Sequence, residues 1–329
     1  MTGQASVASG SMGRMDVIDW MLDADPAIRW QVRRDVLGES DAQVADDRDR
    51  VAAEGVGARI LALQSDDGYW NGHEYGENGD RRSVIWSLSL LRRLGARPDD
   101  PRVRTAIERV RDGVTWRYFD DRPFFAGEVE ECVNGGVLAL ATYFGQLDEG
   151  TDALVRRLLA ERLPDGGWNC EPADESQRSS FDSTLCVLEG LLAVERDGSS
   201  AVPASEIAEA RRGGEEYLLE RHLFRRRSTG EVVKDRYLNF TFPVYWFYDV
   251  LRALDHFREV GGTPDARLDE ALELLRSRRG DDGRWPAGRP WPREVYFAVD
   301  APEGEPSRWN TLRALRVLRW AEGSTDLAG

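Results

Sequence analysis

Apolar residues recur at helical spacing in the segment 164–195, where Phe181, Leu185, Leu188 and Leu192 lie at i, i+4, i+7 and i+11. From Leu185 onward the remaining faces of this segment are almost entirely apolar as well. A helix that is apolar on nearly every face is buried on all sides rather than lying on a surface. The pattern therefore predicts a buried helix that begins near Phe181.

The same arrangement occurs three times: an amphipathic helix, a turn rich in Asp and Gly that ends in Trp, a connector and an apolar helix. The turns are SDDGYW, PDGGW and GDDGRW, which end at Trp70, Trp168 and Trp285. Further apolar segments without this turn lie at 27–37, 131–144 and 243–257. Helix pairs repeated at this scale bury their apolar faces against neighbouring pairs. We predict an all-α fold, an (α/α)6 toroid with inner apolar and outer amphipathic helices, in which each Trp clamps adjacent helix pairs.

Composition narrows the possible partners. The chain has 329 residues and a formal net charge of -15, which argues against nucleic acid or anionic lipid as the main partner because both require a basic face. No apolar run is long enough for an integral membrane segment. Three cysteines without close spacing indicate no disulfide framework, so a cytoplasmic location is expected. Residues 1–14 are small and polar; we interpret them as a leader and 15–325 as a single toroid domain.

The repeated turn, best represented by LQSDDGYW and by DGGWNC with the following SSFDSTLCVLEGL, resembles the α/α-toroid superfamily of squalene-hopene cyclases, other class II terpene cyclases and the β subunits of protein prenyltransferases. The resemblance covers most of residues 53–320 and implies a toroid whose central chamber takes an isoprenoid or other apolar small molecule. The DxDD acid motif of class II cyclases has its nearest match at 180–184, where Asp182 alone is acidic. The Asp-x-Cys zinc pair of prenyltransferases does not occur in the sequence. The resemblance therefore implies the fold without the standard metal chemistry, and we expect no cofactor and no metal.

Carboxylates near the starts of the inner helices are the candidate catalytic groups: Asp182, Glu130 and Glu128. A carboxyl group kept protonated by burial can protonate an alkene or an epoxide, and aromatic faces stabilise the resulting carbocation. In a closed ring we expect Asp182 and Glu130 to converge at one mouth, where repulsion raises one pKa. The candidate substrate-binding residues are Trp86, Cys132, Asn134, Trp168, Cys170, Phe181, Trp246, Tyr248, Trp309 and Asn310.

Structural interpretations compete with these roles. Asp182 lies in a first helical turn, where a carboxylate also serves as a cap. Cys132 and Cys170 with His73 have the atom types of a zinc site, but their spacing matches no known zinc-finger pattern.

Three hypotheses for function remain. The first is a terpene cyclase-like enzyme that acts on an isoprenoid or other apolar small molecule by metal-independent acid catalysis in a central aromatic chamber. The alternative is a non-catalytic toroid that binds a lipid-like ligand or a protein partner. The third is a carbohydrate-active (α/α)6 enzyme, which two facing carboxylates would favour.

Overall fold

The computed structural model describes residues 17–76, 80–171 and 175–323, so the predicted leader at 1–14 lies outside the described residues. In chain order the helices are α1 (17–22), α2 (Pro26–Gln31, continued as a π-helix by Val32–Val36), α3 (Asp41–Asp49), α4 (Gly55–Leu61), α5 (Val84–Leu94), α6 (Pro101–Gly113), α7 (Glu131–Tyr143), α8 (Glu149–Ala160), α9 (Phe181–Asp197), α10 (Ala204–Leu219), α11 (Val250–Val260), α12 (Asp269–Ser277) and α13 (Arg308–Ala321). Within the described part of the chain, no helix is long and apolar enough to cross a bilayer.

Four two-residue strands form two antiparallel pairs. Strands β1 (Thr115–Trp116) and β2 (Arg122–Pro123) pair in the loop before α7, and β3 (Trp285–Pro286) pairs with β4 (Pro306–Ser307) before α13. Short 3-10 turns occupy Arg50–Ala52, Phe124–Ala126, Asp235–Leu238 and Ala266–Leu268. The strands only fasten connectors at the ends of helices, so the protein is all-α as predicted.

The inner helices α2, α5, α7, α9, α11 and α13 contact one another in chain order, and α13 returns to α2. The Trp30 indole donates a hydrogen bond to Leu94 O at 2.9 Å, which joins α2 to α5. At the closure, Arg316 of α13 forms an ion pair with Asp35 at 3.4 Å. Each inner helix is preceded by an outer helix, namely α1, α4, α6, α8, α10 and α12. The predicted toroid is confirmed.

Helices α7 and α9 make the tightest contact in the ring because both carry glycine where they cross. A Cβ atom on Gly135 would lie 2.5 Å from Cys186 O, and a Cβ on Gly190 would lie 2.5 Å from Gly135 O. Real Cβ atoms do not approach a carbonyl oxygen so closely. Glycine is therefore required on both helices for α7 and α9 to pack at this distance.

The three Trp turns have the same geometry. Each indole is fully buried, and each donates to the carbonyl ten residues earlier in the preceding outer helix: Trp70 to Ile60 O at 2.8 Å, Trp168 to Leu158 O at 2.7 Å and Trp285 to Leu275 O at 2.8 Å. Each bond brings a side-chain donor to a carbonyl in the last turn of an outer helix, where i→i+4 backbone donors run out. Each Trp therefore joins its turn to the preceding outer helix; that it also clamps adjacent helix pairs stays a prediction.

One predicted inner helix begins later than its sequence pattern indicates. The apolar segment 243–257 is helical only from Val250 onward. Tyr245 has a left-handed φ of 51°, which no right-handed helix accommodates. Asp249 then caps α11 by accepting a hydrogen bond from Arg252 N at 2.6 Å. The aromatic residues before Val250 thus form an irregular loop, from which Tyr245 and Trp246 contribute to the lining of the ring centre.

Candidate functional site

A cavity of about 230 Å³ lies at the end of the ring where the inner helices begin. It is formed by the connector after Trp70, the loop that contains β1 and β2, and the first turn of α7. We call it the mouth pocket. It is lined by His73, Glu74, Tyr75, Gly76, Trp116, Tyr118, Phe119, Glu128, Glu130 and Val133. Aromatic rings supply much of its wall, so the pocket combines an apolar surface with a few carboxylates.

Glu128 is the buried acid of the mouth pocket. Glu128 is only 3% exposed, and burial raises the pKa of its carboxyl group to about 7. The backbone N–H groups of Val129 and Glu130 donate to the carboxylate and only partly oppose this effect, because they stabilise the charged form. Glu128 is therefore present in both protonated and ionised forms near neutral pH.

Asn134 of α7 fixes the backbone of Glu128. Its Oδ1 accepts a hydrogen bond from Glu128 N at 2.8 Å, and its Nδ2 donates to Glu128 O at 3.2 Å. The guanidinium of Arg157 on α8 also donates to Glu128 O. Asn134 is fully buried, so this predicted substrate-binding residue holds the acid in place from within the fold.

Aromatic and polar groups surround this acid. Trp116 is stacked on Phe124 with ring centroids 5.2 Å apart, which fixes its orientation. Burial raises the pKa of the Tyr75 hydroxyl far above its usual value, so Tyr75 stays neutral. Glu74 is a second buried carboxylate, and its Oε1 accepts a hydrogen bond from Arg117 N at 3.3 Å. Tyr118 is 79% exposed and forms the rim of the pocket.

Asp182 is buried in different surroundings. Its Oδ2 accepts hydrogen bonds from Tyr237 OH at 2.8 Å and from Arg236 at 3.1 Å, and its Oδ1 accepts from Tyr248 N at 2.8 Å. Lys234 lies 3.8 Å from the same carboxylate. Asp182 therefore ties the start of α9 to the segment 234–248, whereas Glu130 lies at the mouth pocket. The expected convergence of these two carboxylates at one mouth stays a prediction.

The centre of the ring contains the predicted residues Trp86, Cys132 and Trp246 around a cavity of about 30 Å³. That volume holds about one or two water molecules. Glu189 also lines this centre, where its carboxylate forms ion pairs with Arg252 at 2.7 Å and Arg93 at 3.2 Å. The mouth pocket, and not the ring centre, therefore has room for a small molecule.

The remaining predicted ligand contacts are engaged within the fold. Phe181 lies against Tyr237 and Tyr248 with centroids 5.4 and 5.2 Å away. Tyr248 OH donates to Leu223 O at 2.6 Å, and Asn310 Nδ2 donates to Phe240 O at 2.8 Å. Trp309 is stacked on Phe242 at 4.1 Å and lines a cleft at the opposite end of the ring. Their roles toward a ligand stay predictions.

Glu130, Cys132 and Cys170 have donor atoms within 4.8 Å of one another, a set that could hold a metal ion. Zinc binds thiolates, but the pKa of the Cys132 thiol is raised well above its usual value, chiefly by its hydrogen bond with Cys170 and by burial. Glu130 is also exposed. His73, which the sequence analysis considered with Cys132 and Cys170 as a zinc ligand, lines the mouth pocket. The expectation of no resident metal stays a prediction that elemental analysis of the purified protein tests.

Sequence reasoning did not assign a site role to Glu74, Tyr75, Trp116, Tyr118 or Phe119, although these residues line the mouth pocket. One available signal was the position of Glu74, four residues after the turn Trp70 and thus at the end of the ring where inner helices start. The sequence around Trp116, Tyr118 and Phe119 indicates only a loop, because the pairing between β1 and β2 is too short to produce a strand pattern.

No protein-family model and no curated protein match the chain. Solved structures of similar fold include a polysaccharide lyase, which is 13% identical with a TM-score of 0.54 over 97% of this chain and 100% of that chain. The type II terpene cyclase MstE from Scytonema is 15% identical with a TM-score of 0.45, covering 95% of this chain and 98% of that chain. A variant of MstE in complex with geranylgeranyl dihydroxybenzoate is 16% identical with a TM-score of 0.43, covering 95% and 97%. At these sequence identities the similarity concerns the fold alone. The polysaccharide lyase, whose TM-score is above 0.5, agrees with the closed ring of helix pairs: the chain is an α/α toroid.

Proposed function

We propose that the protein is a terpene cyclase-like enzyme that rearranges an isoprenoid or another apolar small molecule by metal-independent acid catalysis in the mouth pocket. The observation that carries this proposal is Glu128, a buried carboxyl group with a pKa of about 7 on the wall of an aromatic pocket. A general acid works best when its pKa is near the operating pH. The three cysteines are free, which fits a reducing compartment, and we place the enzyme in the cytoplasm.

The proposed reaction begins when the Glu128 carboxyl group gives its proton to an alkene carbon or an epoxide oxygen. As the new C–H or O–H bond forms, the alkene π bond or an epoxide C–O bond breaks and leaves a carbocation, which the faces of Trp116, Tyr75 and Phe119 stabilise. A neighbouring carbon then loses its proton to Glu130 at the pocket edge or to water, and the C–H electron pair forms a new double bond. Glu128 regains a proton from solvent. The net change is an isomerisation without change of mass.

A carbohydrate substrate is the second candidate because Glu74 and Glu128 are two buried carboxylates on one pocket wall. Paired carboxylates beside aromatic platforms also suit glycosidic bonds. The apolar character of the remaining wall favours the isoprenoid.

The test is incubation of the protein with linear isoprenoid alkenes and epoxides, and separately with neutral and acidic oligosaccharides, followed by mass spectrometry of the products. We expect an isoprenoid product of unchanged mass, its absence in Glu128→Gln, and its retention in Glu108→Gln, which alters an exposed carboxylate on α6. Cleavage of an oligosaccharide would replace the proposal with the carbohydrate-active function. Saturable binding of an isoprenoid without conversion would favour the non-catalytic toroid.

A further inference from the structure

A second cleft, of about 240 Å³, lies at the end of the ring opposite the mouth pocket. It is formed by α2 with its π-helical continuation, α3, the C-terminal turns of α5 and α7, and one side of α11 and α13. We call it the arginine cleft. Six of its wall residues are Arg34, Arg48, Arg92, Arg93, Arg313 and Arg316.

The charges that line this cleft do not balance. Among the described residues that line it, seven are arginines and two, Asp255 and Glu259, are carboxylates. Carboxylates just outside the lining, such as Glu189 and Asp35, neutralise only part of the excess. This concentration of positive charge occurs in a chain whose formal net charge is -15, so overall composition does not account for it.

Two of the arginines have guanidinium groups that the protein leaves poorly neutralised. Arg48 makes no ion pair with any described residue; it donates to Gly95 O at 3.1 Å and to Tyr143 OH at 3.4 Å, and lies over the Trp30 ring at 4.9 Å. Arg92 approaches its carboxylate partner, Glu189, only to 3.8 Å. Both side chains therefore retain donors that an incoming anion can use.

The neighbouring guanidinium groups also crowd one another. The pKa of Arg93 is lowered to about 10, chiefly by burial; the negative charge of Glu189 opposes this effect, and the positive charges of Arg252, Arg92 and Arg313 add to it. Bringing like charges together in a partly buried cleft costs free energy. An anion bound among them would remove that cost.

The walls between the arginines are aromatic. Trp30, Tyr143 and the stacked pair of Phe242 and Trp309, 4.1 Å apart, line the cleft. The guanidinium groups of Arg34 and Arg48 lie over the Trp30 ring at 4.5 and 4.9 Å. The arginine side chains are thus oriented before any ligand arrives, which lowers the entropic cost of binding.

We propose that the arginine cleft binds a small molecule that carries a multiply charged phosphate group, with Arg48 and Arg92 as its principal donors. Guanidinium groups match the geometry of phosphate oxygens in a bidentate manner. This proposal is independent of the acid chemistry at the mouth pocket, because the two cavities share no lining residue.

The test is calorimetric titration of the full chain with inorganic diphosphate at constant ionic strength, with citrate as the carboxylate comparison. We expect saturable one-to-one binding of diphosphate that is about tenfold or more weaker in Arg48→Gln and in Arg92→Gln, since each removes charge-assisted hydrogen bonds. Arg111→Gln removes the same charge from an exposed position on α6 and is expected to bind as the unaltered protein does. Glu128→Gln is also expected to bind diphosphate unchanged, so a failure of either proposal is separable from the other.

Three results would overturn this inference. The first is absence of saturable binding by a folded protein, and the second is equal loss of binding in Arg48→Gln, Arg92→Gln and Arg111→Gln, which would mean a response to net charge. The third is tighter binding of citrate than of diphosphate. If Arg48→Gln is misfolded by circular dichroism, Arg92→Gln decides alone, because its weak 3.8 Å ion pair contributes little to the fold.

Discussion

Burial and hydrogen bonding separate the three carboxylates that the sequence offers as acids. Glu128 is buried beside an aromatic pocket, where the pKa of its carboxyl group rises to about 7. Asp182 is equally buried, but Tyr237, Arg236 and the backbone of Tyr248 donate to its oxygens. Glu130 is exposed. Glu128 is therefore the proton donor that we propose.

The raised pKa of Glu128 makes stability depend on pH. Its carboxyl group is protonated in both folded and unfolded chains below pH 4.5, and between 4.5 and about 7 the folded chain binds the proton more tightly. The free energy of unfolding therefore falls as pH rises through this window, by up to about 3 kcal/mol. Glu128→Gln escapes this loss, so we expect its stability relative to the unaltered protein to increase from pH 5 to pH 8 in urea denaturation. Glu108→Gln should show no such trend; if the two variants behave alike, Glu128 titrates normally.

Asp182→Asn tests whether Asp182 serves the structure and not the chemistry. The substitution removes the negative charge that accepts three hydrogen bonds and lies 3.8 Å from Lys234. We therefore expect the free energy of unfolding to fall by about 1–3 kcal/mol. Asp112→Asn is the matched control: Asp112 pairs with exposed Arg111, and its substitution should change stability by less than about 0.5 kcal/mol. Unchanged stability together with lost turnover in Asp182→Asn would restore it as the proton donor.

For single residues, the sequence predicts which side chains lie at the starts of helices, but not which groups donate hydrogen bonds to them. Asp182 was identifiable as an acid in a first helical turn, and Glu128 as one of three carboxylates before α7. The donors to Asp182 come from residues 54 to 66 positions away along the chain. The conformation of the loop 234–248, including the left-handed Tyr245, sets that contact, and no periodic pattern encodes it.

Among the elements, the crossing of α7 and α9 depends on backbone contact. We expect Gly135→Ala to destabilise the protein by about 1–3 kcal/mol, because its new methyl group would overlap Cys186 O. Gly136→Ala is the control on the next residue: its Cβ would lie 3.9 Å from Ile85 Cδ1, an ordinary contact. That substitution should be neutral or stabilising by up to about 1 kcal/mol, because alanine favours helix. Equal effects of both, measured by thermal unfolding, would mean that helix propensity and not close packing decides.

The Trp turns give the second prediction at this scale. Replacing Trp70, Trp168 or Trp285 with Ala empties a fully buried site and removes a hydrogen bond to the outer helix, so we expect each to cost about 3–5 kcal/mol. Leu63→Ala alters a residue that is 40% exposed at the end of α4 and serves as the control. Melting temperatures that barely move in all three Trp variants would show that the turns do not clamp the helix pairs.

For the whole molecule, the repeat of helix, turn and apolar helix was enough to predict the toroid, because helix pairs repeated at this scale bury their apolar faces against neighbouring pairs. The size and place of the cavity were not predictable. The expected central chamber is reduced to about 30 Å³ by Trp86, Trp246 and the ion pairs of Glu189, and space is left at the mouth instead. Cavity volume depends on how side chains fill the ring, and that packing is not a periodic property of the sequence.

The central claim is that the mouth pocket holds a carboxylic acid that is still protonated near neutral pH. Infrared difference spectra of the unaltered protein minus Glu128→Gln, recorded from pH 4 to pH 9, measure this directly through the carbonyl band of the protonated group. We expect a band present only in the unaltered protein that disappears with a midpoint near pH 7, the pKa that burial gives Glu128. A midpoint near 4.5, the ordinary value for a glutamic acid, would contradict the account.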